Sequence, residues 1–249
     1  MNRALLSIET SGPSLGLALS LEGRIVFAED VEGGSIHGKG LAPQIQKALA
    51  QNALKPDALT AIAVSIGPGS WTGLRIGLSA AKAMAWALQI PLVPVPSFEA
   101  LAHGVFRQPS SLSGARSVLC LRDARSEGCF TALFSETAPR TERCIQECVL
   151  PAAGVVQAVE AFLPANVILC GDAAPVKAVA ALAIQLGFAW QFAQADGESL
   201  AVRAGDLAER AWERFLANDG VLRTSAEIHA AAPMYLRRSD PELKLERKT

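Results

Sequence analysis

The order of strand-like and helix-like segments repeats along the chain, and this repeat limits the folds available to it. The first half reads as three strands, a helix, a strand, a helix and a strand, from ALLSIE at 4–9 to PLVPV at 91–95. The second half begins in the same way, with SVLCLRD at 117–123 and GCFTALF at 128–134. Alternation of this kind is typical of an α/β fold, and its repetition predicts two similar lobes.

The boundary between the lobes is predicted at RQPSSLSGAR, residues 107–116, which is rich in proline, serine and glycine. We therefore expect an N-terminal lobe over 1–106 and a C-terminal lobe over 117–235, followed by a charged tail over 236–249. The long amphipathic helix predicted at 198–217 falls in the second lobe. Chance similarity of two α/β halves is the alternative, because alternating helices and strands are common.

Composition excludes several classes of protein. Hydrophobic residues make up 50% of the 249 residues and charged residues 19%, which excludes an intrinsically disordered chain. Lys plus Arg total 23 against 24 Asp plus Glu, so the chain lacks the basic surplus of a protein that wraps nucleic acid by itself. Five cysteines, with no secretory signal and no apolar run of about 20 residues, favour a soluble protein of the reducing cytoplasm.

The most distinctive segment is IGPGSWTGLRIG at 66–77, in which a buried strand is predicted to pass through a Gly-rich turn into a helix. Such a turn can present N–H groups to an anion at the start of the helix. This one lacks the lysine of the P-loop and the G-x-G-x-x-G of dinucleotide sites, so phosphate binding is weakly supported. The residues of this motif turn are Gly67, Pro68, Gly69, Ser70 and Thr72.

One face of the following helix carries small residues, because Gly73, Gly77, Ala81 and Ala85 recur every four positions. Two glycines inside a helix cost about 1 kcal/mol each relative to alanine, so close approach of another element should offset that loss. Packing within the same chain and packing in a subunit interface are both consistent with this pattern.

Acidic residues end the first strand of each half, at Glu9 and Asp123. They could hold a magnesium ion beside phosphates, but capping of the following turn is the more common role of such carboxylates. The three histidines, His37, His103 and His229, are too far apart in sequence for a two-histidine metal site on one helix. From the residues alone we predict neither a metal centre nor a catalytic residue.

Together these segments resemble the TsaB (YeaZ) family, bacterial accessory proteins for the threonylcarbamoyl modification of adenosine in tRNA. The matching segments follow the family order over essentially the whole chain. GPGSWTGLRIG is the most specific of them, and PMYLRR at 233–238 is the second. IETSGPSLGLAL near the N-terminus, HGKGLAPQI at 37–45 and DAR at 123–125 complete the set.

The resemblance implies the two-lobed actin/Hsp70/sugar-kinase-like fold and a non-catalytic role beside a catalytic relative, TsaD. It implies a heterodimer with a TsaD-type subunit, which carries the ATP and the metal, and a complex that also contains the ATPase TsaE. This chain would then need no cofactor, would meet tRNA indirectly and would not contact membranes. Whether it forms a homodimer without its partner is left open.

The expected partner interface lies on the helix near 41–53 and on the helix at 72–89. The residues assigned to it are His37, Leu41, Pro43, Ile45, Leu49, Gly73, Arg75, Gly77 and Ala81. Trp71, at the start of the second helix, stands where the family usually has phenylalanine.

The family's nucleotide-site positions imply a degenerate site here, at Glu9, Thr10, Asp123 and Gly171. Two histidines bind the metal in TsaD, and their positions fall on Phe98 and Ala102, so the resemblance implies no metal in this chain. A self-sufficient ATP- and metal-dependent transferase, or a peptidase of the glycoprotease type, is the alternative function. Direct tRNA binding by the charged tail is a third.

Overall fold

The chain forms two compact units, each built on a five-stranded sheet. The computed structural model describes residues 3–32, 36–108, 116–137, 140–162, 164, 166–193 and 200–236. The first unit contains the residues up to Gln108 together with Ala201–Pro233, and the second contains the described residues between them and 234–236. Among the described helices, none has the length and hydrophobicity needed to cross a membrane.

The sheet of the first unit has the strand order β3-β2-β1-β4-β5. The strands are β1 (Ala4–Glu9), β2 (Ser14–Leu21), β3 (Arg24–Glu32), β4 (Ala61–Ser65) and β5 (Leu92–Val95). The first three pair antiparallel, whereas β4 lies parallel to β1, and β5 parallel to β4. Every residue of β1 and β4 is buried, which explains why these two strands lack an alternation of polar and apolar residues.

Three helices of the first unit follow these strands in the chain: α1 (Ile36–Gln51), α2 (Trp71–Leu88) and α3 (Ser97–Phe106). The apolar residues of α1 and α2 join those of β1 and β2 in one core on one face of the sheet. The sequence predicted this helix near 41–53, but α1 begins earlier, at Ile36. Pro43 therefore lies inside the helix, where it gives up one backbone hydrogen bond. α3 was not predicted.

The second sheet repeats the order of the first, as β10-β9-β6-β7-β8. In both sheets the first strand is central, a hairpin lies on one side of it and two parallel strands lie on the other. This repetition confirms the prediction of two similar α/β lobes. The elements of the second unit are β6 (Arg116–Asp123), β7 (Cys129–Thr137), β8 (Arg140–Leu150), α4 (Ala152–Glu160), β9 (Val167–Gly171), α5 (Ala173–Gln185) and β10 (Gln191–Phe192).

The segment after the second sheet returns to the first unit, which the sequence pattern did not indicate. Helix α6 (Ala204–Ala217) packs on α3 and across β1, β2 and β3. Its small residues Ala204 and Ala208 lie against Ala18, on the sheet face opposite to α1 and α2. The predicted C-terminal lobe over 117–235 therefore differs from the second unit, because residues 201–233 belong to the first.

Two contacts fasten the end of this returning segment. Leu222 and Leu92 form an antiparallel bridge beside β5, with each N–H donating to the other residue's carbonyl at 2.8 and 2.9 Å. Helix α7 (Ser225–Ala230) then packs beside α2, where Lys82 Nζ donates to the carbonyl oxygens of His229 and Ala231 at 2.6 and 2.9 Å. The first unit is thus assembled from two distant parts of the chain.

A buried ion-pair network joins α3 to α6. The carboxylate of Glu99 accepts from Arg210 Nε at 2.6 Å and from Arg214 Nη1 at 3.0 Å, and only 7% of the Glu99 side chain is exposed. Removing one partner of a buried pair leaves the other charges without compensation, which is far more costly than loss of a surface pair.

We predict that Glu99→Ala lowers the free energy of unfolding by about 3 kcal/mol, because two partly buried guanidinium groups lose their buried carboxylate and keep only the exposed ones of Glu213 and Asp219. Urea denaturation followed by circular dichroism measures this loss. Glu29→Ala is the matched control, since Glu29 pairs with the exposed Lys47, and it should change stability by less than about 1 kcal/mol. Equal losses in the two variants would contradict a structural role for the α3–α6 network.

A second carboxylate, that of Asp206 on α6, predicts that the stability of the protein depends on pH. Burial raises the pKa of Asp206, and the nearby Arg203 and His103 offset this effect only in part. A carboxyl whose pKa is higher in the folded protein binds its proton more tightly when folded, so acidification through that pKa favours the folded state. The gain begins as pH falls through the raised pKa and is complete below the pKa of the unfolded chain.

We therefore expect the free energy of unfolding of the parent protein, minus that of Asp206→Asn, to rise as pH falls from 7 towards 4. Denaturation curves at a series of pH values for both proteins give this difference directly. A difference that falls over the same range would contradict the raised pKa of Asp206.

Candidate functional site

Glu9 and Asp123, the acidic residues at the ends of β1 and β6, have the same structural role in their respective units. Glu9 is buried at the end of β1, and its Oε1 accepts the N–H of Ser11 at 2.5 Å. Asp123 ends β6, and its Oδ1 accepts the N–H of Arg125 at 2.7 Å. Each carboxylate therefore caps the turn that follows its strand, which is the more common of the two roles weighed for these residues.

Gly171 is explained by the packing of the second unit. Its φ is +119°, and a Cβ atom at this position would overlap the carbonyl oxygen of Leu121. The next residue, Asp172, turns its carboxylate back to accept the N–H of Asp123 at 2.9 Å. The close pairing of β6 with β9 thus requires a glycine at position 171 whether or not a nucleotide binds.

The Gly-rich motif turn is held by hydrogen bonds to two other segments of the first unit. Gly67 N–H donates to Ser97 Oγ at 3.1 Å, and Ser97 N–H donates to the Gly67 carbonyl at 2.7 Å. Ser70 N–H donates to the Ser11 carbonyl at 2.8 Å, while Ser70 Oγ accepts the N–H of Gly73 and caps α2. Gly67 and Pro68 are buried, and Ser70 and Thr72 are exposed.

The small face of α2 packs inside the first unit, against Thr10. A Cβ atom at Gly73 would overlap the Thr10 carbonyl oxygen, and one at Gly77 would overlap Thr10 Oγ1. Ala81 and Ala85 continue this face and are fully buried. Of the two uses left open for the pattern, packing within the chain is the one found, so Gly73, Gly77 and Ala81 are not available to a partner.

The remaining predicted interface residues fall into two groups. Leu41, Ile45 and Leu49 are buried in the core between α1 and the sheet, because they are the apolar stripe of an amphipathic helix. Pro43 and Arg75 are exposed. The side chain of His37 lies outside the described residues.

The outward surface of α2 carries residues that the sequence pattern did not single out. Trp86 is 67% exposed and Trp71 is 37% exposed, near opposite ends of the helix. The guanidinium of Arg75 lies 4.2 Å from the centroid of the Trp71 ring, a cation–π contact. This outward face, opposite the small face, consists of Thr72, Arg75, Ser79, Ala83 and Trp86, with Trp71 beside it. A tryptophan across the helix from a glycine stripe was the signal that could have found it.

Phe98 and Ala102, the positions at which the resemblance implied that two metal-binding histidines are replaced, lie in apolar packing. Phe98 and Ala102 are fully buried on α3. His103 instead faces α6, with Nε2 3.5 Å from Glu209 Oε2 and Nδ1 3.9 Å from Glu213 Oε2. In the part of the chain that the structure describes, no three His, Cys, Asp or Glu side chains are arranged to hold a metal ion.

The repeated sheets and capped turns define a two-lobed α/β protein, and comparison with known proteins identifies its family. The family model of TsaD, tRNA N6-adenosine threonylcarbamoyltransferase, matches residues 34–207. The chain belongs to this family, in its TsaB (YeaZ) branch, as the sequence motifs predicted.

The relatives that support this assignment match in part of the sequence and in the whole fold. The tRNA threonylcarbamoyladenosine biosynthesis protein TsaB of Bacillus subtilis is 38% identical over 98 residues, which are 39% of this chain and 43% of that protein. TsaB of Haemophilus influenzae is 31% identical over 124 residues, 50% of each chain. The chain thus aligns with about half the length of these relatives. YeaZ from Pseudomonas aeruginosa superimposes with a TM-score of 0.72 at 25% identity, covering 94% of this chain and all of that one.

The small face of α2 yields a test of the close packing. We predict that Gly77→Ala lowers the free energy of unfolding by about 2 kcal/mol, because overpacking against Thr10 outweighs the gain in helix propensity. Ser79→Ala, on the outward face of the same helix, should change stability by less than about 0.5 kcal/mol. Thermal and urea unfolding of both variants measure the difference, and a Gly77→Ala protein as stable as the parent would contradict the tight contact.

Proposed function

We propose that this chain is an accessory, non-catalytic subunit that supports a TsaD-type enzyme in transferring the threonylcarbamoyl group to adenosine in tRNA. The observation that carries the proposal is the burial of Phe98 and Ala102 in a chain of the TsaB branch. Large and small apolar side chains fill the places of the two metal ligands, so the family's metal chemistry has no histidine donors there. ATP and metal would accordingly reside on the partner.

The outward surfaces of α1 and α2 are the proposed docking face for that partner. On α1 the exposed residues are Ala42, Pro43, Gln46, Lys47 and Ala50. Between Trp71 and Trp86 the outward face of α2 has only short side chains apart from Arg75, so another helix could approach it closely. Tryptophan and arginine are the residues most often found at the energetic centre of interfaces.

The buried half of each helix supports this face. The small stripe of α2 seats the helix on Thr10, and Leu41, Ile45 and Leu49 anchor α1 in the core. These residues would set the relative position of the two helices without touching the partner. Six of the nine residues first assigned to the interface thus acquire an indirect role, and Arg75 and Pro43 remain candidates for direct contact.

The larger assembly follows from the same proposal. A TsaE-type ATPase would join the heterodimer, and tRNA would be bound mainly through the partner, which agrees with a formal net charge of −1. The outward face could also pair two copies of this chain when the catalytic subunit is absent, because a face that buries apolar surface in one complex can do so in another.

The direct test of docking is Trp86→Ala. Since Trp86 is 67% exposed, its truncation should leave the melting temperature nearly unchanged. We expect the affinity for the cognate TsaD-type subunit, measured by calorimetry, to fall at least about tenfold. Phe162→Ala in the second unit, where the ring is 51% exposed, is the matched control and should bind normally. Unchanged affinity of Trp86→Ala would remove the outward face from the interface.

The test of the function itself is reconstitution of the reaction. Threonylcarbamoylation of tRNA by the TsaD-type subunit should require this chain, and the chain alone should neither bind ATP and metal in stoichiometric amounts nor modify tRNA. Modification or peptide cleavage by the isolated chain would instead establish a self-sufficient transferase or peptidase.

A further inference from the structure

Two cysteine thiols of the second unit lie in contact across neighbouring strands. Cys120 of β6 and Cys170 of β9 are direct partners in the parallel register, and their Sγ atoms are 3.6 Å apart. Both side chains are buried, and neither residue is part of a disulfide. Nothing in the proposed function of the chain uses these thiols.

The backbone geometry suits a covalent link between them. Neighbouring strands lie about 4.8 Å apart, which falls within the range of about 4.4–6.8 Å between Cα atoms that a disulfide spans. The sulfur atoms would have to approach by about 1.5 Å to reach a bond length of about 2.05 Å. Rotation of the two side chains can supply much of this movement, because the two residues are already direct partners in the strand register.

Two charged side chains, Glu147 and Arg122, act on Cys120. The pKa of the Cys120 thiol is raised by burial, and further by Cys170 and Glu147, while Arg122 acts in the opposite sense. The side chains of Arg122 and Glu147 are themselves almost fully buried. The Cys120 thiol is therefore protonated at rest, and the positive charge of Arg122 favours its thiolate.

On its outer side, β9 pairs with a short strand. Its outer neighbour β10 consists of Gln191 and Phe192, both exposed, which pair with Ile168 and Leu169. Ala193 N–H also donates to the Leu169 carbonyl at 2.9 Å, and Leu200 N–H donates to the Gly171 carbonyl at 2.8 Å, so the described hydrogen bonds on this edge lie on either side of Cys170. Local opening of this short strand would let a small molecule reach the pair.

We propose that Cys120 and Cys170 form a redox-sensitive dithiol that small peroxides convert to an internal disulfide. One thiolate attacks a peroxide oxygen, which gives a sulfenic acid and, from hydrogen peroxide, hydroxide that takes up the released proton. The second sulfur displaces water from the sulfenic acid and forms the S–S bond. Both cysteines are oxidised, one peroxide is reduced, and two water molecules are released.

The disulfide would fix β6 to β9 beside the turns that carry Asp123 and Gly171. A link between residues 50 apart in sequence restricts the unfolded chain, so oxidation should stabilise the second unit. The oxidation state of the pair would then set the rigidity of the C-terminal ends of β6 and β9, which lead into the two turns.

Mass spectrometry of the full chain tests the proposal. The protein is treated with hydrogen peroxide, quenched in acid, alkylated under denaturing conditions and digested. We expect a peptide pair joined through Cys120 and Cys170 whose mass is lower by two hydrogen atoms, which a reductant separates. The melting temperature should rise by about 5 °C on oxidation.

Two variants make the result specific. Cys120→Ser should abolish the linked pair and the rise in melting temperature, whereas Cys129→Ser, which changes another buried cysteine, should retain both. Recovery of Cys120 and Cys170 as alkylated thiols, at a peroxide dose that oxidises the half-buried Cys144 and Cys148, would overturn the proposal. A link from Cys120 to any other cysteine would also overturn it.

Discussion

The contact between Thr10 and the glycines of α2 is the constraint on which the first unit depends. Here the N-terminal part of α2 packs directly against the end of β1 and the turn capped by Glu9. The hydrogen bond from Ser70 N–H to the Ser11 carbonyl depends on this separation. A side chain at Gly77 would move α2 away from the sheet and open the core to which Leu78 belongs.

The two lobes use one turn design with different surroundings. In both, the last residue of the first strand is acidic and its carboxylate accepts the N–H two residues later. Glu9 is buried in the first unit, whereas Asp123 is exposed in the second. In both lobes the carboxylate caps the turn after the central strand, so its presence is explained without a bound nucleotide.

Several features of this fold could be predicted from the sequence because they depend on local pattern. The strands at 4–9 and 117–123, the helix at 72–89 and the duplication all follow from hydrophobic periodicity and turn residues. The small stripe of α2 was also visible, but periodicity reports which residues are buried and not what buries them. The stripe was therefore assigned to a partner, when Thr10 covers it. Trp86 lies on the opposite face of the helix, where a single exposed tryptophan gives no periodic signal.

Chain topology was the harder part to predict. The amphipathic pattern of α6 is clear, but nothing local distinguishes packing on the nearer sheet from packing on the distant one. The choice depends on the fit of Ala204 and Ala208 against Ala18 and on the pairing of Arg210 and Arg214 with Glu99, all contacts across a large sequence separation. A similar limit applies to α3, whose apolar run gave no indication that one of its charges would be buried.

The return of the chain to the first unit has a consequence for how the protein is made. The ribosome makes β1 to α3 first. Helix α6 comes only after the whole second sheet, and so do the bridge between Leu222 and Leu92 and the hydrogen bonds from Lys82 to the end of α7. During synthesis the nascent first lobe therefore exposes one bare face of its sheet and an open edge at β5. Most of the second lobe, Pro109–Leu200, is made before the first lobe can be completed, and its last residues, from Met234 onwards, come after the returning segment. The interval in which the first sheet is uncovered is the period when the nascent chain is most prone to aggregate.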